Sequence, residues 1–344
     1  MGAPRTTSLF HDRIAPPARR AATLVPGTAV AVALALAALL IDWLTILPAV
    51  LVGLLLGMLV APAAGGARLN PGLAFSSRRL LRIGVAFLGA RVTLGEMADL
   101  GPGAAAIAVG GLILCLALGY VIARFLRLSP ELSFLTAAAV AICGASATLA
   151  VAAVLPRSDS RDHNAAATVA AITVIGTAAM VLYPFLAVAL GLDARQSGIF
   201  YGSTLHEVVQ AVGAGFTHAP EAGEVATTVK LARVACLAPV VMLIGWWSHR
   251  GGQGEAQRPP LLPLFLVGFL AFAVLASLGL LPADLLSALA GTSRFLLLVA
   301  IVALGSKIAP RQLRDFGWRP LLTISLQSTL LAASALAAIF LLYR

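Results

Sequence analysis

A chain of 344 residues with 60% apolar and only 11% charged residues, at a mean hydropathy of +0.97, has the composition of a polytopic membrane protein and excludes a pair of water-soluble domains. Its formal net charge of +10 does not make it a nucleic-acid binder, because the arginines are scattered through short loops and do not gather on one basic face with aromatics. Cys115, Cys143 and Cys236 all fall in apolar runs, which leaves neither a disulfide framework nor a CxxC metal pattern.

A bilayer crossing takes about 20 mainly apolar residues. On that measure the sequence predicts an all-α fold of eleven transmembrane helices, with residues 1–25 as a cytoplasmic tail and 26–344 as one transmembrane domain. Arg19-Arg20 ahead of the apolar run Thr28–Ile41 superficially resembles a leader peptide. That run is long, however, and leads through the turn Asp42–Pro48 into a second apolar run, so spans 26–41 and 47–62 read as a retained anchor and a hairpin. The third span, 80–97, carries Phe87-Leu88-Gly89-Ala90-Arg91, and the fourth is 103–124. In the middle of the fifth, 132–155, lies Ala141-Ile142-Cys143-Gly144-Ala145-Ser146-Ala147-Thr148. Small residues there would let the helix unwind and free backbone N–H groups for an anion, with Cys143, Gly144, Ala145 and Ser146 as the contacts. Small residues also let membrane helices approach closely, which is the plainer reading.

The sixth span is 164–190, and the seventh, 197–217, holds His206-Glu207-Val208-Val209-Gln210. This is one residue from HExxH, the zinc motif of metalloproteases, but Gln210 is a poor zinc ligand. No metal site, cofactor or enzyme is therefore expected. An imidazole, a carboxylate and an amide remain, suited to handling protons or to contacting substrate, against the alternative of a structural polar cluster. The eighth span, 223–247, carries Lys230 and Arg233, which share a helical face with Thr227 at intervals of three. Spans 261–281, 293–309 and 320–343 complete the set, with Lys307 near the end of the tenth. Lys230 and Lys307 are the only lysines in the chain. An ionisable side chain in hydrocarbon costs at least ~2.5–3.5 kcal/mol, so these residues are where function should be sought. Glu207 faces a surplus of intramembrane cations in Arg91, Lys230, Arg233 and Lys307, and that surplus calls for a mobile anion; the plainer reading is snorkelling to an interface, which suits Lys307 best.

Glycine and proline cluster between spans, at Pro62–Pro71, Gly101–Gly103, Gly251–Pro260 and Pro310–Pro320. With the N-terminus inside, sixteen loop arginines fall in the cytoplasm and four outside, the four being Arg157, Arg161, Arg294 and Arg344. An N-in, C-out topology is expected. Leu88-Gly89-Ala90-Arg91 aligns with Leu304-Gly305-Ser306-Lys307 across seven spans, an odd number that would relate the copies as inverted repeats; chance similarity between Leu-rich helices is the alternative.

AICGASA at 141–147, Phe87–Arg91, Gly198–Gln210 and Val229-Lys230-Leu231-Ala232-Arg233 together resemble the bacterial YeiH-type inner-membrane family, whose members are labelled sulfate exporters. The resemblance runs from Pro26 to the C-terminus. It implies a polytopic secondary transporter, distantly related to cation–proton antiporters and bile-acid symporters, whose folds have inverted repeats and broken helices crossing at the midplane. Relatives tend to carry Asp after the His, where this chain has the longer Glu207. The expected function is secondary transport of a small anion, sulfate or sulfite being the family's indication, in the bacterial inner membrane. Protons are the expected coupling ion, with sodium as the alternative, and a homodimer is left open. Substrate contacts would come from residues 143–146, Gln210, Lys230 and Arg233, proton coupling from His206 and Glu207, and accessory charge from Arg91 and Lys307. The rival readings are a channel, which would give unitary currents, and a membrane-embedded enzyme, which would turn over without a gradient.

Overall fold

The computed structural model describes residues 17–248, 264–307 and 317–343, apart from 46, 48, 65, 67, 92–94, 96, 97, 99, 157 and 159. The loop arginines at 250, 258, 311 and 314 lie outside the described residues. The protein is an all-α polytopic membrane protein. Its helices are α1 (Pro17–Leu44), α2 (Ala49–Ala64), α3 (70–91, a stack of α, π and 3-10 turns), α4 (Gly101–Phe125), α5 (Pro130–Ala138, continued as a π turn to Cys143) and α6 (Gly144–Val154). There follow α7 (Arg161–Ala189), α8 (Ala194–Thr204), α9 (Val208–His218), α10 (Pro220–Ala235), α11 (Leu237–Ser248), α12 (Leu264–Ser277), α13 (Ala283–Gly305) and α14 (Trp318–Leu342). Leu, Val, Phe and Trp side chains such as Leu59, Phe125, Val188 and Trp247 stand exposed on the outside, as lipid contact requires.

All eleven expected spans coincide with helix, but two of them do not cross. At the mouth of the α5–α6 segment, Glu131 accepts hydrogen bonds from Ser158 (2.5 Å) and from Asn164 (2.8 Å). A helix running straight from 131 to 158 would hold those residues ~40 Å apart at 1.5 Å per residue. The 130–154 segment is therefore a re-entrant hairpin, long and apolar enough to span yet folded back on itself. The same holds for α8–α9, where Tyr201 Oη lies 3.2 Å from His218 Nδ1. Helix α7 joins the bases of the two hairpins, so they enter from opposite faces.

The direction of every other segment follows from its neighbours. Gln196, at the base of the second hairpin, donates to Tyr343 O (2.9 Å), and Tyr343 Oη donates to Leu100 O (3.2 Å). These contacts put the end of α14 and the start of α4 on the second hairpin's face. Arg91 pairs with Glu224 of α10 there (2.8 Å), which already neutralises one of the four cations. Ser293 donates to Gly84 O (2.7 Å) and Lys307 to Ser77 Oγ, which makes α3 and α13 antiparallel. The two LGxR/K copies thus close helices that run in opposite directions, the orientation an inverted relation demands. Among the described residues, nine helical segments run from one face to the other: α1, α2, α3, α4, α7, the kinked α10–α11, α12, α13 and α14.

Helices approach one another through glycine. A β-carbon on Gly57 would stand 2.1 Å from Val302 O, and one on Gly202 only 2.6 Å from Ala226 O. The first contact seats α2 on α13. The second seats the incoming arm of hairpin 2 on α10, the helix that carries Lys230 and Arg233.

Candidate functional site

The two hairpin tips meet at the centre of the molecule. In the first, helical geometry stops at Cys143 (φ −155°, ψ 77°) and resumes after Gly144. Gly144 takes φ +29°, a left-handed value that glycine tolerates and a β-branched residue does not. In the second, Leu205, His206 and Glu207 are extended or bent and separate α8 from α9. The expected helix carrying His206 and Glu207 side by side is thus a break. A charged or titratable pair there is set by the tip's path and not by a 100° helical step.

Each break leaves carbonyls without helical partners, and in a membrane interior such groups need a donor from the protein. Lys230 and Arg233 supply it. Lys230 Nζ donates to Ile142 O of the first tip (2.7 Å) and to Leu205 O of the second (2.5 Å). Arg233 donates through Nε to Ala141 O (3.1 Å), through one terminal nitrogen to Gly202 O (3.3 Å) and Ser203 O, and through the other to Val140 O (3.1 Å) and Ala141 O. A guanidinium has five N–H donors, and all five are engaged. Both side chains are fully buried. Cations at the negative C-terminal ends of two incoming arms also complement the helix dipoles.

The outgoing arms present the opposite polarity, and Glu207 stands there. It is the residue before α9, and a β-carbon on Gly144 at the start of α6 would lie 3.0 Å from its Cγ and 3.4 Å from its Oε1. Oε1 lies within hydrogen-bond reach of Thr173 Oγ1 on α7 (3.0 Å), a hydroxyl whose single proton is shared between this oxygen and Val169 O (2.8 Å). Gln210, fully buried, reaches back to accept from the Glu207 N–H (3.0 Å) and donates to Thr173 O (3.3 Å), in space that Gly176 leaves open. Lys307, Lys230 and Arg78 are the cations within electrostatic reach of the carboxylate. Glu207, Thr173, Ala145 and Lys307 are half-buried, and Ser146 and Arg78 are exposed, whereas His206 is sealed in.

The tautomer of His206 follows from its surroundings. Ser328 on α14 gives its proton to Ile324 O (2.7 Å), so it accepts from His206 Nε2 (2.8 Å). Nε2 then carries the hydrogen, and Nδ1 keeps a lone pair that meets no hydrogen-bond partner among the described residues.

Of the residues singled out in the sequence, the structure brings together 143–146, His206, Glu207, Gln210, Lys230 and Arg233, with Lys307 to one side. Arg91 stands apart with Glu224. Thr173, Ser328, Ser77 and Arg78 were not singled out, since a hydroxyl in an Ala-rich helix and an arginine near a loop carry no distinguishing signal. Among the described residues no three of His, Cys, Asp and Glu gather to hold a metal.

Fold and centre define a polytopic membrane protein built around two opposed re-entrant hairpins. The chain belongs to the family described as conserved hypothetical protein 698, whose model matches residues 24–324, and which includes the UPF0324 membrane proteins and the YeiH-type sequences noted above. It is 45% identical over 299 residues to the UPF0324 membrane protein TauZ of Paracoccus pantotrophus, covering 86% of this chain and 88% of that one. It is 46% identical over 290 residues to TauZ of Paracoccus denitrificans (83% and 86%) and 41% identical over 347 residues to a UPF0324 membrane protein of Rhizobium meliloti (99% and 96%). No solved structure matches it.

Proposed function

We propose that the chain is a proton-coupled secondary transporter of a small anion, of the sulfate, sulfite or small organic acid class, working by alternating access in the bacterial inner membrane with its N-terminus in the cytoplasm. The observation that carries this reading is the meeting of two re-entrant hairpins from opposite faces. Each leaves only part of the molecule's thickness between its tip and one aqueous side, so a ligand at the tips can be reached from either side by small movements. The surplus of positive charge there selects an anion. Because the donors of Arg233 are fully engaged by backbone and Lys230 has no exposed surface, recognition falls to the outgoing arms at Gly144–Ser146 and to Lys307 and Arg78, with Lys230 acting through its field. Arg233 contributes field and shape.

Proton handling falls to Glu207, half-open and bonded to a hydroxyl, with the Nδ1 lone pair of His206 as a second acceptor in the same tip. The test is paired transport by the purified chain in liposomes, using a panel of labelled small anions with and without a pH gradient. Glu207→Gln is expected to abolish gradient-driven flux while anion exchange persists. His206→Gln is expected to shift or flatten the pH optimum. No flux of any anion in the panel would sink the reading, and equal loss of both modes in Glu207→Gln would reduce that residue to a binding role.

A further inference from the structure

The carbonyl side of the centre supports an inference of its own. Ile142 O and Leu205 O come from different hairpins, point into the same small space and lie 2.7 and 2.5 Å from one atom, Lys230 Nζ. Both belong to the C-terminal ends of helical arms, where partial negative charge collects. Converging neutral carbonyls at unwound helix ends are the ligands with which membrane carriers bind a monovalent cation. Here the ammonium, itself a monovalent cation of compact shape, already occupies the place, on a side chain with no exposed surface. Arg233 sits beside it on the same helical face, and its charge makes the space hostile to any divalent ion.

We propose that Lys230 is a tethered cation filling a carbonyl-lined monovalent-cation site built jointly by the two hairpin tips, so that the chain requires no sodium there, and that shortening the side chain opens the site to Na⁺ or K⁺. A lysine serving only to satisfy two orphan carbonyls would make no such provision for a free ion. The two roles part when the ammonium is removed. Lys230→Ala leaves a hole with carbonyl walls, whereas Lys230→Met leaves the same carbonyls behind an apolar side chain that fills the hole.

The experiment is thermal unfolding of the purified full chain in detergent, in NaCl, KCl or choline chloride at equal ionic strength. Wild type is expected to melt at the same temperature in all three salts. Lys230→Ala is expected to melt lower than wild type in choline and to recover several degrees in Na⁺ or K⁺, saturating with concentration as binding to the folded state requires. Lys230→Met is expected to be low in every salt. A wild-type chain stabilised by Na⁺ over choline overturns the proposal, and so does a Lys230→Ala variant indifferent to the cation. If Lys230→Ala yields no folded protein in any salt, the wild-type comparison decides. The readout is stability, so its outcome is separate from whether the chain moves anions.

Discussion

Arg233 has every donor on a backbone oxygen and no accessible surface, so its removal is felt first in folding. Each carbonyl left bare in the interior costs about 1–3 kcal/mol. Arg233→Gln is therefore expected to lower the melting temperature of the purified chain sharply and to cut its yield. Arg233→Lys should retain part of the stability, because a point charge replaces the fork but cannot span both tips. Normal melting of Arg233→Gln would show that the five bonds contribute little. The sequence already marked this residue, since a charge deep in an apolar run must have a partner or a task. What it could not show was the partner's identity: unwound backbone carries no residue-type signature, and any Ala or Ile can lend a carbonyl. The same limit hid Ser328, whose effect on His206 depends on a proton given to Ile324.

At the scale of elements, the hairpins were half legible. Gly144 and the small residues around it announced a break, and the polar triplet at 206–210 announced something other than a plain span. Length and hydropathy could not say whether the chain continues across the bilayer or turns back, because both arms are equally apolar. The deciding contacts, Glu131 with Ser158 and Asn164 at the mouth of the first hairpin and Tyr201 with His218 between the arms of the second, join residues that read as ordinary loop, helix or cap polarity. Close packing on α10 holds the second hairpin in place. Gly202→Val would drive a side chain into Ala226 O and Val229, where even Cβ has 2.6–2.7 Å, so α8 must lift and loosen its bonds to Arg233. Overpacking of this kind costs about 1–3 kcal/mol. Gly110→Val, at a position with nothing within 4 Å, serves as the control and should melt as wild type does. Equal melting of the two variants would argue that α8 and α10 are not rigidly joined.

For the whole molecule, turning two spans into hairpins redistributes the loops. The segment between α6 and α7, which contains Arg157 in sequence and leads into Arg161 at the start of α7, moves to the N-terminal face, and the segment with Arg195 moves to the opposite one. Carried over on the sequence alone, the sixteen-to-four split of arginines becomes seventeen to three, since Arg157 and Arg161 change side in one direction and Arg195 in the other. The outer ends are unchanged, since nine and eleven are both odd. Single cysteines in a background without Cys115, Cys143 and Cys236 separate the two topologies. Ser158→Cys should react with a membrane-impermeant reagent from the cytoplasmic side and Asp193→Cys from the outside. The opposite pattern at both positions would restore eleven crossings.

The bonds at the centre also set an order of events during synthesis. Lys230 lies 88 residues after Ile142, and Arg233 lies 93 after Val140. The ribosome completes the first hairpin, with its carbonyls turned inward, long before the helix that satisfies them has been made. Chains translate from the N-terminus, and domains generally fold as they emerge. The first tip therefore stays without its donors while α7 and the second hairpin are laid down, and the centre forms in one late step when α10 arrives between the two tips. A nascent chain halted ahead of Lys230 contains both hairpins and lacks the clasp that makes them one structure.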